Sequence, residues 1–334
     1  SDKLSKWFPD FPNADRITLD DLLRMRSGIP DPFDPKFIES YYDHPLMDFT
    51  EQDSIERAAA LSDQFEPPGQ TTRYTEVNYV LLGEIVRKVS GNPLGVQIEK
   101  MILRSLGMEH SLYPTSSRLP GDLRGYRWNP QIRRLEDKTE LNPAVPAGAG
   151  AMISNLADLK TYARALCTGT LLNPRTQRAR LQSTPFEGQP EFAQYGQGIA
   201  KIGSFCGHNG AIVGFSTEMW YLPEKDAIVV INVNRLDTDD QAPSLLLFLA
   251  VGQIVFPEYF AFAAMPPTGA GGMADGEVLP VGTIAAVLAA MTVGICMLLR
   301  RRYTHEAITG LIDIGTTLYS PRQRIENPAA KEEQ

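Results

Sequence analysis

Two short stretches carry side chains that could do acid–base chemistry. In "TTRYTEVNY" (residues 71–79), Tyr74 and Glu76 stand just before a predicted helix, and in "GHNGAIVGF" (residues 207–215), His208 stands between glycines at a predicted strand start. A tyrosine can act as a base near neutral pH only if cations lower its pKa from about 10, whereas histidine titrates there unaided. Glycines let a substrate approach a strand closely, and strand-edge N–H groups can hold a carbonyl oxygen. A packed ring at Tyr74 and a structural role for His208 are the alternatives.

Apolar spacing predicts the helices around these residues. The helix after Glu76 has a broad apolar face and should end at Gly91 and Pro93; the face comprises Val77, Val80, Leu81, Leu82, Ile85, Val86 and Val89. Further helices are predicted over 18–25, 54–61 and 96–106 and from 156 to Gly169. Residues 113–146 are rich in Pro, Gly, Arg and Asp and are predicted to form long surface loops.

From residue 195 to residue 234 the sequence has the pattern of β-strands. Three runs separated by turn signals, "YGQGIAKIGSFCGHNG", "AIVGFSTEMWYLP" and "KDAIVVINVNR", predict an antiparallel meander. The apolar segment 242–256 predicts a helix that covers one face of this sheet.

Composition bounds the functions that the chain can have. The 334 residues are 43% hydrophobic and 22% charged with a net charge of −8, and no dense Lys/Arg block suggests nucleic-acid binding. Cys167, Cys206 and Cys296 are isolated, so neither a disulfide framework nor a metal site is predicted, and Cys206 is expected to be a buried thiol. No cofactor is expected.

The C-terminal part predicts a membrane anchor. A Pro/Gly-rich linker (265–277) precedes an uncharged stretch (278–299) that is long enough to span a bilayer, and Arg300, Arg301 and Arg302 follow it. The tail (300–334) is therefore expected in the cytoplasm and the remainder of the protein outside it. A buried C-terminal helix is the alternative to a membrane span.

The order and spacing of six blocks resemble the serine penicillin-recognising family, which includes class C-type β-lactamases, D-alanyl-D-alanine carboxypeptidases and related esterases. The blocks are "ITLDDLLRMRSGIPD", "PPGQTTRYTEVNYVLLGEIVRKVSG", "LGMEH", "PAGAGAMISNLADL", "YGQGI" and "GHNGAIVGF". The resemblance implies an α/β (α+β) fold of the β-lactamase/transpeptidase type: an antiparallel sheet flanked by helices plus a mainly helical region, spanning residues 1–264. It also implies acyl-enzyme hydrolysis of a peptide, ester or β-lactam carbonyl.

The family motifs assign roles to individual residues by resemblance. Tyr74 matches the tyrosine of Tyr-x-Asn and would be the general acid/base. His208, Asn209 and Gly210 match His-x-Gly; they would bind substrate, with His208 holding a carboxylate or tuning the proton network. The N–H of Ala211 would be an oxyanion donor.

Two departures from the family pattern affect the expected activity. Glu76 replaces the asparagine, and a carboxylate cannot donate like an amide and would repel an anionic substrate. The nucleophile motif Ser-x-x-Lys occurs nowhere in the 334 residues; its family position falls upstream of Ser1. We therefore expect this chain alone to have no serine-hydrolase turnover. A non-catalytic member that binds cell-wall peptides or a protein partner is the alternative.

Overall fold

The computed structural model describes residues 2–129, 132–237 and 242–260. Its α-helices are α1 (Leu19–Leu23), α2 (Pro35–Asp43), α3 (Glu51–Ala59), α4 (Val77–Ser90), α5 (Leu94–Ile98), α6 (Arg104–Leu106), α7 (Ala147–Gly150), α8 (Leu156–Thr168), α9 (Pro174–Leu181) and α10 (Pro243–Val255). A π-helical turn, Glu99–Leu103, joins α5 to α6. The strands are β1 (Tyr126–Asn129), β2 (Arg134–Asp137), β3 (Thr184–Pro185), β4 (Ala193–Tyr195), β5 (Ala200–Ile202), β6 (Phe205–Ile212), β7 (Phe215–Leu222) and β8 (Ala227–Val233).

An antiparallel sheet forms the framework of the molecule, with its six strands in the order β3-β4-β5-β6-β7-β8. Alternate residues of β7 point to opposite faces. Trp220 stacks on Phe248 of α10 with ring centroids 5.6 Å apart, whereas Met219 and Tyr221 pack in a cluster with Leu166 of α8. The sheet is therefore covered by α10 on one face and by α8 on the other.

The predicted helices are present with small shifts at their ends. Thr18 and Asp21 form a capping box at α1, and a second capping box at Thr50 starts α3 three residues earlier than the interval 54–61 predicts. Gly91 ends α4 in the left-handed conformation. The apolar face of α4 is narrower than predicted, since Val89 is 67% exposed while Val80 and Leu81 are buried.

Three local predictions were wrong. The first predicted run, 195–210, is not one strand but contains parts of three, because the chain turns at Gly198 and Gly203, both with positive φ. Residues 113–146, predicted as loops, contain the β1–β2 hairpin. The helices α2 and α9 were missed although each has a side-chain cap followed by proline, Asp34–Pro35 and Asn173–Pro174.

The prediction that no disulfide forms was also wrong. Cys167 of α8 and Cys206 of β6 are joined in a disulfide across 39 residues of sequence. Both cysteines are buried, at the place where α8 covers the sheet. The spacing of isolated cysteines did not reveal this pairing because only the fold brings them together.

The predicted membrane span, 278–299, lies outside the described residues, as do the predicted linker and tail. Within residues 2–129, 132–237 and 242–260, no helix is both long enough and apolar enough to cross a bilayer.

Candidate active site

Backbone hydrogen bonds fix the loop that carries Tyr74. Glu66 N–H donates to Gly28 O (2.9 Å), Gly69 N–H to Arg26 O (2.7 Å) and Arg73 N–H to Met25 O (2.8 Å), so residues 66–73 run beside 25–28. Gly28 has a φ of +75°, and a Cβ there would lie 2.1 Å from the Glu66 carbonyl oxygen. A glycine is therefore required where the two segments cross.

The same loop is tied to the edge of the sheet. Glu187 N–H donates to Thr72 O (3.0 Å), and the hydroxyls of Thr72 and Thr184 lie 2.7 Å apart. Arg73 pairs with both Glu66 and Glu187. These contacts hold Tyr74 at the start of α4 against the sheet.

The rings of Tyr74, Tyr195 and His208 form a cluster. The ring centroids of Tyr74 and His208 lie 6.5 Å apart, and Tyr195 lies edge-on to both, with centroids 6.2 Å from Tyr74 and 5.7 Å from His208. The structure therefore brings together the two residues that the motifs single out from positions 134 residues apart.

Both ring nitrogens of His208 are engaged within the protein. Nδ1 lies 2.7 Å from the Asn209 carbonyl oxygen, and Nε2 lies 3.2 Å from Tyr195 Oη. A carbonyl only accepts, so Nδ1 carries the hydrogen; in the neutral ring Nε2 then accepts from the Tyr195 hydroxyl. Burial lowers the pKa of His208, although the Asn209 carbonyl acts in the opposite direction. This arrangement favours a neutral His208 near pH 7.

The strand β6 presents a free edge beside the cluster. It joins β5 and β7 through the two-residue loops 203–204 and 213–214. The two residues that flank such a loop form a hydrogen-bonded pair. Along the strand from that pair, the N–H and C=O groups of successive residues point alternately toward the partner strand and away from it. Both hairpins direct the N–H groups of Asn209 and Ala211 to the β5 side, where pairing stops at Gly207. These two N–H groups thus have no strand partner in the described part of the chain and can meet a substrate carbonyl.

The space available for a side chain differs between Gly207 and Gly210, two glycines of β6. A Cβ at Gly207 would lie 2.0 Å from the Met219 carbonyl oxygen, so packing of the sheet excludes a side chain. A Cβ at Gly210 would meet only Thr217 Cβ, at 4.0 Å. The space above Gly210 is therefore open, as a strand that receives a ligand requires.

Acidic rather than basic groups surround Tyr74 in the described residues. Burial raises the pKa of Tyr74, and Glu76, Tyr79 and Asp31 raise it further. Burial likewise raises the pKa of Glu76, with Asp31 adding to the shift. For Tyr74 to act as a base, a cation from elsewhere must therefore lower its pKa.

Asp31 and Tyr195 belong to the site but were not singled out from the sequence. Asp31 ends the block "RSGIPD" and Tyr195 begins "YGQG", so each lies inside a stretch that carries the family resemblance. Their position inside these stretches is the sequence signal that could have identified them as site residues. Among the described residues, no group of three or more His, Cys, Asp or Glu side chains could hold a metal ion.

A strand with a His-x-Gly sequence and a free edge, facing a tyrosine at a helix start, defines the penicillin-recognising class of serine hydrolases. The model of the β-lactamase family matches residues 1–252, and the chain belongs to that family. Unguisins hydrolase of Aspergillus campestris is 26% identical over 255 residues, which are 71% of this chain and 46% of that protein.

Solved structures agree with the family assignment. A D-stereospecific amidohydrolase from Streptomyces sp. superimposes with a TM-score of 0.62 and 26% identity, covering 70% of this chain and 74% of that one. A D-amino acid amidase from Ochrobactrum anthropi, solved with L-phenylalanine amide, gives a TM-score of 0.61 and 25% identity, covering 71% of this chain and 69% of that one. The chain spans about half the length of the curated relatives it matches.

Proposed function

We propose that the protein is a serine hydrolase, carboxypeptidase-like or esterase-like, which cleaves amide or ester bonds of small acyl substrates through an acyl-enzyme. The observation that carries this proposal is the meeting of Tyr74, His208 and the free N–H groups of β6 in a chain of the β-lactamase family. Similarity to an amidohydrolase and to an amidase solved with an amino acid amide supports amides as substrates.

Each proposed step assigns a task to a group in the site. A serine, expected from a Ser-x-x-Lys segment upstream of Ser1, forms a bond from its Oγ to the carbonyl carbon while its proton passes to Tyr74 Oη. Tyr74 accepts the proton as the tyrosinate, and we assign the cation that lowers its pKa to the lysine of the same segment. The Ala211 N–H stabilises the oxyanion. The carbon–nitrogen or carbon–oxygen bond then breaks, and Tyr74 returns the proton to the leaving group. Water attacks the acyl-enzyme by the same route and releases the acid.

The task of His208 follows from its hydrogen bonds. With Nδ1 donating to Asn209 O and Nε2 accepting from Tyr195, a neutral His208 packs beside Tyr74 without placing a second charge in the site. We propose that it keeps the end of β6 in position and tunes the proton transfer at Tyr74.

We also propose that the hydrolase domain lies outside the cytoplasm, anchored by residues 278–299. The Cys167–Cys206 disulfide supports this placement, because disulfides persist mainly in oxidising compartments. Alkaline extraction of membranes tests the anchor, since a protein recovered in the soluble fraction lacks a span.

Labelling with a fluorophosphonate tests the proposed chemistry. The full-length protein should label stoichiometrically at a serine upstream of Ser1, and Tyr74→Phe should slow labelling by about 100-fold or more, because general acid–base catalysis contributes on that order. The chain of residues 1–334 alone should not label. Labelling of a serine within residues 1–334 would refute the assignment of the nucleophile.

A member that binds peptides without cleaving them is the second candidate. The observation in its favour is Glu76, which puts a carboxylate where the family has an amide donor. If the full-length protein neither labels nor turns over an ester but binds a peptide, this second function is correct.

A further inference from the structure

We propose that Tyr195, held in place by the turn "YGQG" (residues 195–198), is a positioning residue: its hydroxyl donates to Nε2 of His208 and keeps this imidazole neutral and fixed beside Tyr74. The block "YGQGI" has no task in the proposed steps of hydrolysis. This inference rests on the proposed hydrolase function and adds to it a residue that acts through His208.

Two helices hold the turn between β4 and β5 from outside the sheet. Gln197 N–H donates to the Arg180 carbonyl oxygen of α9 at 3.0 Å. Gly198 N–H donates to the Leu23 carbonyl oxygen, at the end of α1, at 3.1 Å. The turn is therefore fixed by helices as well as by its own strands.

Both glycines of the turn lie where a side chain does not fit. A Cβ at Gly196 would lie 2.3 Å from the Arg180 carbonyl oxygen. Gly198 has a φ of +66°, and a Cβ there would lie 2.8 Å from Tyr79 Oη, which itself donates to the Leu23 carbonyl oxygen at 2.9 Å. Glycine at these two positions lets the turn approach α9 and α4 closely.

Tyr195 ends β4 at the start of this turn, and packing fixes its ring. The side chain is 3% exposed, and its ring centroid lies 5.4 Å from that of Phe186 and 6.2 Å from that of Tyr74. Burial raises the pKa of Tyr195, so the hydroxyl keeps its hydrogen near pH 7. With Oη 3.2 Å from Nε2 of His208, this hydroxyl is placed to donate.

The hydrogen bond from Tyr195 opposes protonation of His208. Nδ1 already carries a hydrogen toward the Asn209 carbonyl oxygen at 2.7 Å, so an added proton would have to bind Nε2. There it would meet the hydroxyl hydrogen of Tyr195, and the hydrogen bond would have to break or reverse. A neutral His208 held in this way does not act as a base, so the proposed proton transfers stay with Tyr74.

The titratable groups that face the two rings are mainly phenols. Tyr74 faces both rings, and Tyr79 and Tyr162 act on Tyr195. Burial raises the pKa of all three, so they are uncharged near pH 7 in the described part of the chain. The charged side chains that act on these phenols are Glu76, Asp31 and Arg180.

Nitrogen NMR of the full-length protein with isotope-labelled histidine tests the tautomer directly, and His208→Gln assigns the His208 signals. Tyr195→Phe removes the hydroxyl and keeps the ring. Tyr221→Phe is the matched control, because it removes a hydroxyl of β7 that bonds to Asp226 at 3.0 Å. Hydrolysis of p-nitrophenyl butyrate from pH 5 to 8 and the urea midpoint are measured on the same samples.

We expect the unmodified protein to carry hydrogen on Nδ1 and none on Nε2 at pH 7. Tyr195→Phe should raise the pKa of His208 by about 1, because one hydrogen bond to the neutral ring is lost. It should also lower kcat about tenfold, leave KM within about twofold and add an ionisation to the pH profile of kcat. Tyr221→Phe should change none of these quantities.

A hydrogen on Nε2 in the unmodified protein, or an unchanged pKa of His208 in Tyr195→Phe, overturns the inference. It is also overturned if Tyr195→Phe and Tyr221→Phe lower kcat equally, because the hydroxyl of Tyr195 then has only a structural role. If the unmodified protein does not hydrolyse the ester, hydrolysis fails as the function, and the NMR result decides the role of Tyr195 by itself.

Discussion

Replacing either cysteine of the Cys167–Cys206 disulfide with alanine should lower the free energy of unfolding by about 4 kcal/mol. The bridge closes a loop with a sequence separation of 39 residues. The loop-closure entropy lost by an unfolded chain of that length corresponds to about 4 kcal/mol at 25 °C, within the range measured for native disulfides. Alanine is chosen because both positions are buried and a hydroxyl there would add a cost of its own.

Urea unfolding of the oxidised protein, of the two single variants and of the double variant measures this loss. Each single variant already lacks the bridge, so the three variants should be destabilised almost equally, and reduction should shift only the unmodified protein. If the destabilisation of the double variant equals the sum of those of the two single variants, the disulfide is refuted. It is also refuted if an alkylating reagent modifies a free Cys206 thiol in the native protein.

Three other changes test separate parts of the site and its support. Gly210→Ala should leave the midpoint of unfolding nearly unchanged, because its Cβ would meet only one atom, at 4.0 Å, but should lower kcat/KM by about tenfold or more if substrate lies on β6. Gly207→Ala should instead destabilise the protein, because its Cβ would clash with the backbone. Equal effects of the two variants would contradict the assignment of β6 as the substrate-binding strand. Glu218, buried against α10, has its pKa raised by burial to about 8, so between about pH 4.3 and 8 unfolding releases a proton and stability falls as pH rises. Glu218→Gln should remove this pH-dependent loss of stability, which is at most about 1.4 kcal/mol per pH unit. If the free energies of unfolding of the unmodified protein and of Glu218→Gln, measured with urea, change in parallel from pH 5 to 8, Glu218 is not neutral in the folded protein. In the full-length protein above about pH 8, where Glu76 is ionised because burial raises its pKa to about 8, Glu76→Asn should raise kcat/KM for anionic acyl substrates about fivefold by removing a charge whose effect is about 1 kcal/mol. An unchanged or lower value would mean that Glu76 is not in the site or has another role.

Local patterns predicted the parts of the fold that short-range physics determines. The helix that begins after Thr18, the end of α4 at Gly91 and the two long strands β7 and β8 follow from side-chain spacing and turn residues within a few positions. The pairing of Tyr74 with His208 was expected only through resemblance to a family. Nothing in the spacing of 134 residues specifies that contact.

Features that depend on distant contacts could not be predicted. Asp31 lies near Glu76 because the loop before α4 crosses the segment after α1. The strands β3 and β4 are two and three residues long, too short for an alternating pattern to show. The cysteine pairing likewise depends on how α8 lies across the sheet.

The position of Arg73 makes the loop that carries Tyr74 sensitive to ionic strength. This residue, next to Tyr74, pairs with Glu66 in its own loop and with Glu187 beside the edge strand β3, and all three side chains are exposed to solvent. Pairs of this kind weaken as salt is added, since the Debye length falls from about 30 Å at 0.01 M to about 8 Å at 0.15 M. Kinetic constants measured in dilute buffer therefore describe a more firmly held Tyr74 than the one that meets substrate at physiological salt.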